Sequence, residues 1–130
     1  DRFEPGNLQH TPMADPFDRE LREKLMVNAG RLGLPFHPRG TVITIEGPRF
    51  STRAESRMFR SWGADVINMS TAPECMLANE LGIPYAAVAV STDYDSWMEE
   101  EHPVTWEAVL EVFHRNVHQV VSLITAVVSS

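Results

Sequence analysis

A chain of 130 residues with 43% hydrophobic content is one domain in size, long enough to bury a core and too short to hold two. Its formal net charge is -7 and its eleven basic residues are scattered, so no basic stripe exists to neutralise a phosphate backbone, and nucleic acid is excluded as an expected partner. The single cysteine, Cys75, excludes an internal disulfide framework and a zinc cluster of its own, and fits a reducing, cytoplasmic setting.

The chain starts DRFEPGNLQH, without a signal-peptide pattern and without methionine, as expected of a processed or partial polypeptide. Residues 1–12 read as loop and 13–130 as core. In ADPFDRELREKLMVNAGRLG, Leu21, Leu25, Ala29 and Leu32 recur at helical spacing, Pro16 stands where a first helical turn tolerates proline, and Gly33 closes the end. TVITIE, rich in β-branched residues and bounded by Gly40 and the Gly47-Pro48 pair, reads as a strand. Thr52 with Glu55 three residues on makes a capping-box pattern for a short helix through AESRMFRSW, which Gly63 ends, and ADVINM follows as a second strand. Thr71 with Glu74 repeats the capping box and opens a helix through PECMLANEL, closed by Gly82. PYAAVAVS is a nearly continuous apolar strand of the kind buried on both faces, and its apolar run around Tyr85 to Val90 is far too short to cross a bilayer. Beyond an acidic loop from Asp93 to Pro103, apolar residues at 109, 112, 113, 117, 120, 121 and 124 mark a last helix.

Strands alternating with helices predict the α/β class, a mostly parallel sheet flanked by helices. Ligands of such sheets bind beyond the carboxyl ends of the strands, so the loops GPRFST, MSTAPE and STDYDSW are expected to meet there. Ser70 and Thr71 lie at a helix start, where free N–H groups and the helix dipole favour an anion; the alternative is that Thr71 merely caps its helix. Arg49 suits an anion, and Phe50 suits either a flat ring or the core. Asp93 and Asp95 repel if both ionise in a dry site, so one pKa should rise; the alternative is a solvated loop with two ordinary anions. MEEEH reads as solvated, because a consecutive acidic run splays its oxygens apart instead of converging them on a hard cation. His114 and His118 share a helical face without a third ligand, so surface histidines are the reading there, and no Gly-x-Ser-x-Gly elbow offers a hydrolase nucleophile.

Taken together, TIEGPRFSTRAESRMFRSWGADVINMSTAPECMLANELGIPY and STDYDSW closely resemble the purine nucleoside phosphorylase family, in its methylthioadenosine-cleaving branch, and the earlier HTPMADPF is similar to a segment of the same branch. The resemblance covers about residues 10–124, with long motifs in the expected order. It implies an α/β/α sandwich and a pentosyltransferase that uses inorganic phosphate to convert 5'-methylthioadenosine into adenine and 5-methylthioribose 1-phosphate, with no metal or organic cofactor.

By the same resemblance Asp93 matches the acid that shares a proton with purine N7 as the base departs, while Thr92 and Asp95 stand beside the base, Asp95 accepting from the 6-amino group. Phe50 matches a residue packing on the nucleoside. Ile67, Asn68 and Met69 match the strand end that lines base and sugar, with Met69 by the ribose hydroxyls. Ser70 stands where the branch commonly has threonine and keeps a hydroxyl for phosphate. Trp106, Val109 and Leu110 match the apolar 5' pocket, with Trp106 bulkier than the usual residue; for Val109 plain packing on the sheet is as good a reading. His10 matches a residue reaching into the neighbouring subunit's 5' pocket, and the resemblance implies a homotrimer or hexamer.

Family chains are about twice this long, so the sequence is expected to be the C-terminal half, with the glycine-rich turn and the Arg-His pair that hold phosphate supplied by an N-terminal half. Two rivals stand beside this expectation: the same reaction on 6-oxopurine nucleosides such as inosine, and a non-catalytic purine-binding or assembly fragment. An aspartate at position 93 suits aminopurines and an asparagine oxopurines, since a mismatched buried polar group costs about 1–3 kcal/mol.

Overall fold

Local capping chemistry sets most element boundaries in the computed structural model, which describes residue 6, residues 10–92 and residues 105–130. Helix α1 (Arg19–Arg31) is followed by β1 (Val42–Thr44), α2 (Arg53–Ser61), β2 (Val66–Asn68), α3 (Thr71–Leu81) and α4 (Trp106–Val128). The two strands are parallel and in register, Val42 beside Val66, Ile43 beside Ile67 and Thr44 beside Asn68, with α2 as the crossover between them. This is the expected α/β arrangement, and it brings the carboxyl ends of both strands to one edge.

The α2 capping box forms as its spacing predicts: the Thr52 hydroxyl accepts from the Glu55 amide, and the Glu55 carboxylate accepts from the Thr52 amide. Gly33, Gly63 and Gly82 adopt φ of 66°, 81° and 68° behind α1, α2 and α3, the left-handed backbone that ends a helix. Thr105 caps α4 by accepting from the Ala108 amide.

Three expectations are corrected. Helix α1 begins at Arg19 and not around Pro16, because Asp18 takes the cap position and accepts from the Leu21 amide. The Pro16 carbonyl instead accepts from both the Cys75 thiol and the Asn79 Nδ2, each at 2.9 Å, which fastens the segment before α1 onto α3. The second capping box does not form: Ser70 occupies the cap position without a side-chain cap bond, and the Thr71 hydroxyl accepts from the Asn68 amide group.

The third correction is PYAAVAVS, which carries no regular secondary structure and is not a strand. A strand exists only through a ladder partner, and the two described strands pair with each other. What holds this segment is its start, where the Tyr85 carbonyl accepts from the Asp18 amide at 2.7 Å and the Tyr85 ring stacks on Phe17.

Helices α1 and α4 pack on each other, and among the described residues the buried apolar ones are Ala29 of α1, Cys75 of α3 and Leu123 of α4. Among the described residues no helix is long and apolar enough to cross a membrane.

Candidate active site

The carboxyl ends of β1 and β2 are joined to the start of α3 by a set of side-chain hydrogen bonds. The Thr44 hydroxyl donates to Asn68 Oδ1 at 2.9 Å and accepts from the Ala72 amide at 3.1 Å. Asn68 Nδ2 donates to the Thr71 hydroxyl, and Asn68 Oδ1 also accepts from the Thr71 amide at 3.4 Å. The main chain continues the connection, with the Ile45 amide donating to the Asn68 carbonyl at 2.8 Å. Thr44 and Asn68 are half-buried and Thr71 is buried, so these bonds work in a medium where an unpaired polar group is costly.

This arrangement changes what the α3 start can offer an anion. A helix leaves its first amides without intrahelical partners, but here the Thr71 and Ala72 amides are taken by Asn68 and Thr44, the Glu74 amide donates to the Ser70 carbonyl, and Pro73 has no N–H. An approaching anion therefore meets the exposed Ser70 hydroxyl and the positive end of the helix dipole, and not the ring of free amides that the sequence suggests.

Beside Ser70 the site has an open apolar rim. Met69 is 40% exposed and Phe50 46%, while Ile67 is half-buried within β2. The turn after β1 approaches Met69 closely: a Cβ on Gly47 would lie 2.8 Å from the Met69 Sδ, so only glycine lets the Met69 side chain lie where it does without a shift. The first two of the three expected loops are thus brought together at one sheet edge.

Arg49, a candidate anion ligand from the sequence, is engaged elsewhere. Its guanidinium grips the Glu55 carboxylate with two bonds of 2.7 Å and donates to the Phe50 carbonyl at 3.2 Å, tying the Phe50 loop to the first turn of α2. The hydrogen bonds from Arg49, then those from Thr52, hold Glu55 down at about 2, from an ordinary 4.5. A carboxylate with a depressed folded pKa contributes stability that is fully present above its unfolded value and lost as pH falls through its folded value. The Glu55 side-chain carbon resonance is accordingly expected to titrate near 2, and in an Arg49→Met variant to move back toward 4.5; an unchanged midpoint in that variant contradicts the assignment.

The remaining sequence candidates are distributed as follows. Trp106, 62% exposed, is the first residue of α4, and Val109 and Leu110 are half-buried in its first turns. His10 is exposed and Thr92 half-buried. Asp93 and Asp95 lie outside the described residues.

Two contributors escape the sequence reading. Thr44 looks like one more β-branched strand residue in TVITIE; its signal is that the last register pair of two parallel strands, Thr44 and Asn68, is the polar one. Tyr85, within an apolar run, donates to Glu74 Oε2 at 2.6 Å, and burial together with that carboxylate pushes its phenol up to about 12, so it stays a neutral donor beside the first turn of α3.

Comparison with known proteins agrees with the geometry. The family described as the phosphorylase superfamily matches residues 1–129. S-methyl-5'-thioadenosine phosphorylase of Danio rerio is 52% identical over 124 residues, 95% of this chain and 44% of that protein. The enzyme of the same name from Pyrococcus abyssi is 52% identical over 117 residues, 90% of this chain and 44% of that protein. Methylthioadenosine phosphorylase from Schistosoma mansoni in complex with adenine superposes with a TM-score of 0.88 at 36% identity, over 97% of this chain and 51% of that one. The chain spans about half the length of the curated relatives it matches.

Proposed function

The chain belongs to the phosphorylase superfamily, and from that premise we propose that it is the C-terminal part of a phosphorylase that cleaves 5'-methylthioadenosine with inorganic phosphate. The observation that carries the reading is the identity of about half the residues, across nearly the whole chain, with S-methyl-5'-thioadenosine phosphorylases of a fish and an archaeon. The edge built by Asn68, Met69 and Ser70 supports it, because an amide, an apolar rim and a hydroxyl at a helix start suit a base, a sugar and a phosphate in turn.

In the proposed reaction the bond from sugar C1' to purine N9 breaks, its electron pair leaves with the base, and a phosphate oxygen bonds C1' as the sugar passes through an oxocarbenium-like state. Asp93 shares its proton with purine N7, so that the base departs neutral, and a carboxyl with raised pKa is a competent acid near neutrality. Asp95 accepts from the 6-amino group, with Thr92 beside it. Ile67, Asn68 and Met69 line base and sugar, Phe50 packs on the nucleoside, and Ser70 donates to phosphate. Trp106, Val109 and Leu110 line the 5' methylthio pocket, to which His10 of a neighbouring copy is added in a homotrimer. An upstream half supplies the remaining phosphate ligands, and the enzyme works in the cytoplasm without a metal or organic cofactor.

Phosphorolysis depends on holding both the attacking and the leaving group, so the test uses the complete polypeptide comprising this chain and its upstream half. Incubated with 5'-methylthioadenosine, it should release adenine only when phosphate is added. Absence of phosphate-dependent release overturns the reading.

A further inference from the structure

We propose that Thr44 is a positioning residue for phosphorolysis, one hydroxyl that sets both the Asn68 amide and the start of α3; the inference rests on the function proposed above. A threonine hydroxyl has a single proton, and here it is donated to Asn68 Oδ1 while a lone pair accepts the Ala72 amide. Together with the Thr71 amide, which also donates to Oδ1, this bond holds the Asn68 amide in one orientation. Turned over, its NH2 group would confront the Thr71 N–H, donor against donor. In the observed orientation Oδ1 is filled by Thr44 and Thr71, and Nδ2 gives one proton to the Thr71 hydroxyl. Among the described residues, one Nδ2 hydrogen is what Asn68 has left to offer a ligand, so Thr44 and Thr71 together leave Asn68 a donor.

The same hydroxyl reaches α3. Ala72 lies two residues after Ser70, and the bond from its amide to Thr44 anchors the first turn of α3 to the end of β1. Thr44 therefore fixes the separation between the residue proposed to face the base and the one proposed to face phosphate, without touching either ligand. A misplacement of about 1 Å between reacting groups costs on the order of 10²-fold in rate.

The test compares Thr44→Val, which keeps the shape and removes the hydroxyl, with Thr44→Ser, which keeps the hydroxyl. In the complete enzyme Thr44→Val should lower kcat for methylthioadenosine by about tenfold or more while KM changes by less than about threefold, and Thr44→Ser should restore kcat to within about twofold. Hydrogen exchange at the Ala72 amide should accelerate in Thr44→Val and not in Thr44→Ser. Should Thr44→Val fail to fold, Thr44→Ala carries the same two readouts. Wild-type kcat without the hydroxyl, or an equal loss in Thr44→Ser, overturns the role of Thr44 while leaving the phosphorylase reading intact. An unmodified complete enzyme that releases no adenine overturns that reading, and this inference with it.

Discussion

Replacing Asp93 with asparagine in the complete enzyme is expected to lower turnover of 5'-methylthioadenosine by about 10²–10⁴-fold, the contribution of a positioned proton donor. Asparagine has no acidic proton to pass to purine N7 and can at most hydrogen-bond it, so the departing base keeps more of its negative charge. The same change should shift selectivity. A 6-aminopurine presents a donor where a 6-oxopurine presents an acceptor, and an amide at position 93 tolerates the second better than a carboxylate does. The ratio of kcat/KM for 5'-methylthioadenosine over 5'-methylthioinosine should favour the amino substrate in the unmodified enzyme and fall by about tenfold or more in Asp93→Asn, since a mismatched buried polar group costs about 1–3 kcal/mol. Equal kcat/KM ratios before and after the change remove Asp93 from its proposed role.

The second large effect is expected at Asn68. Asn68→Ala removes the partner of the Thr44 hydroxyl, the Thr71 hydroxyl and the Thr71 amide together, at the junction of both strands with α3. Leaving half-buried polar groups unsatisfied costs about 1–3 kcal/mol, so the complete protein should lose stability of that order in chemical denaturation. Because Thr44 and Asn68 act through one bond, the double variant Thr44→Val/Asn68→Ala should be less destabilised than the sum of the singles, by about 0.5–3 kcal/mol. Strict additivity contradicts the network. Activity should fall as well, since Asn68 is both the proposed donor to the ligand and, through Thr71, the link to the start of α3.

What the sequence made legible divides along local and non-local chemistry. The α2 capping box was readable because Thr52 and Glu55 need only each other, and the glycines ending α1, α2 and α3 because a left-handed backbone is a one-residue property. The second box, with the same spacing at Thr71 and Glu74, failed because other partners claimed both side chains: Asn68, three residues earlier, bonds the Thr71 hydroxyl, and Tyr85, eleven residues on, the Glu74 carboxylate. Pro16 misled for the same reason, since its carbonyl is held by Cys75 and Asn79, about sixty positions along the chain. PYAAVAVS carries the composition of a buried strand, but composition provides no ladder partner, and among the described residues the segment has none.

The site followed the same rule. GPRFST and MSTAPE were placed at one edge by topology, and the close approach of Gly47 to Met69 bears that out. Thr44 was invisible because its importance lies in facing Asn68 across the sheet, which the alternation of strand residues does not reveal. Arg49 was visible as a cation that suits an anion, but its partner, the Glu55 carboxylate of the adjoining helix, was not.

The measurement that bears most directly on the proposed function is product analysis of 5'-methylthioadenosine incubated with the complete polypeptide and phosphate. Adenine and 5-methylthioribose 1-phosphate should appear in equal amounts, with neither formed when phosphate is left out. Free 5-methylthioribose in place of its 1-phosphate, or adenine release indifferent to phosphate, would contradict the account.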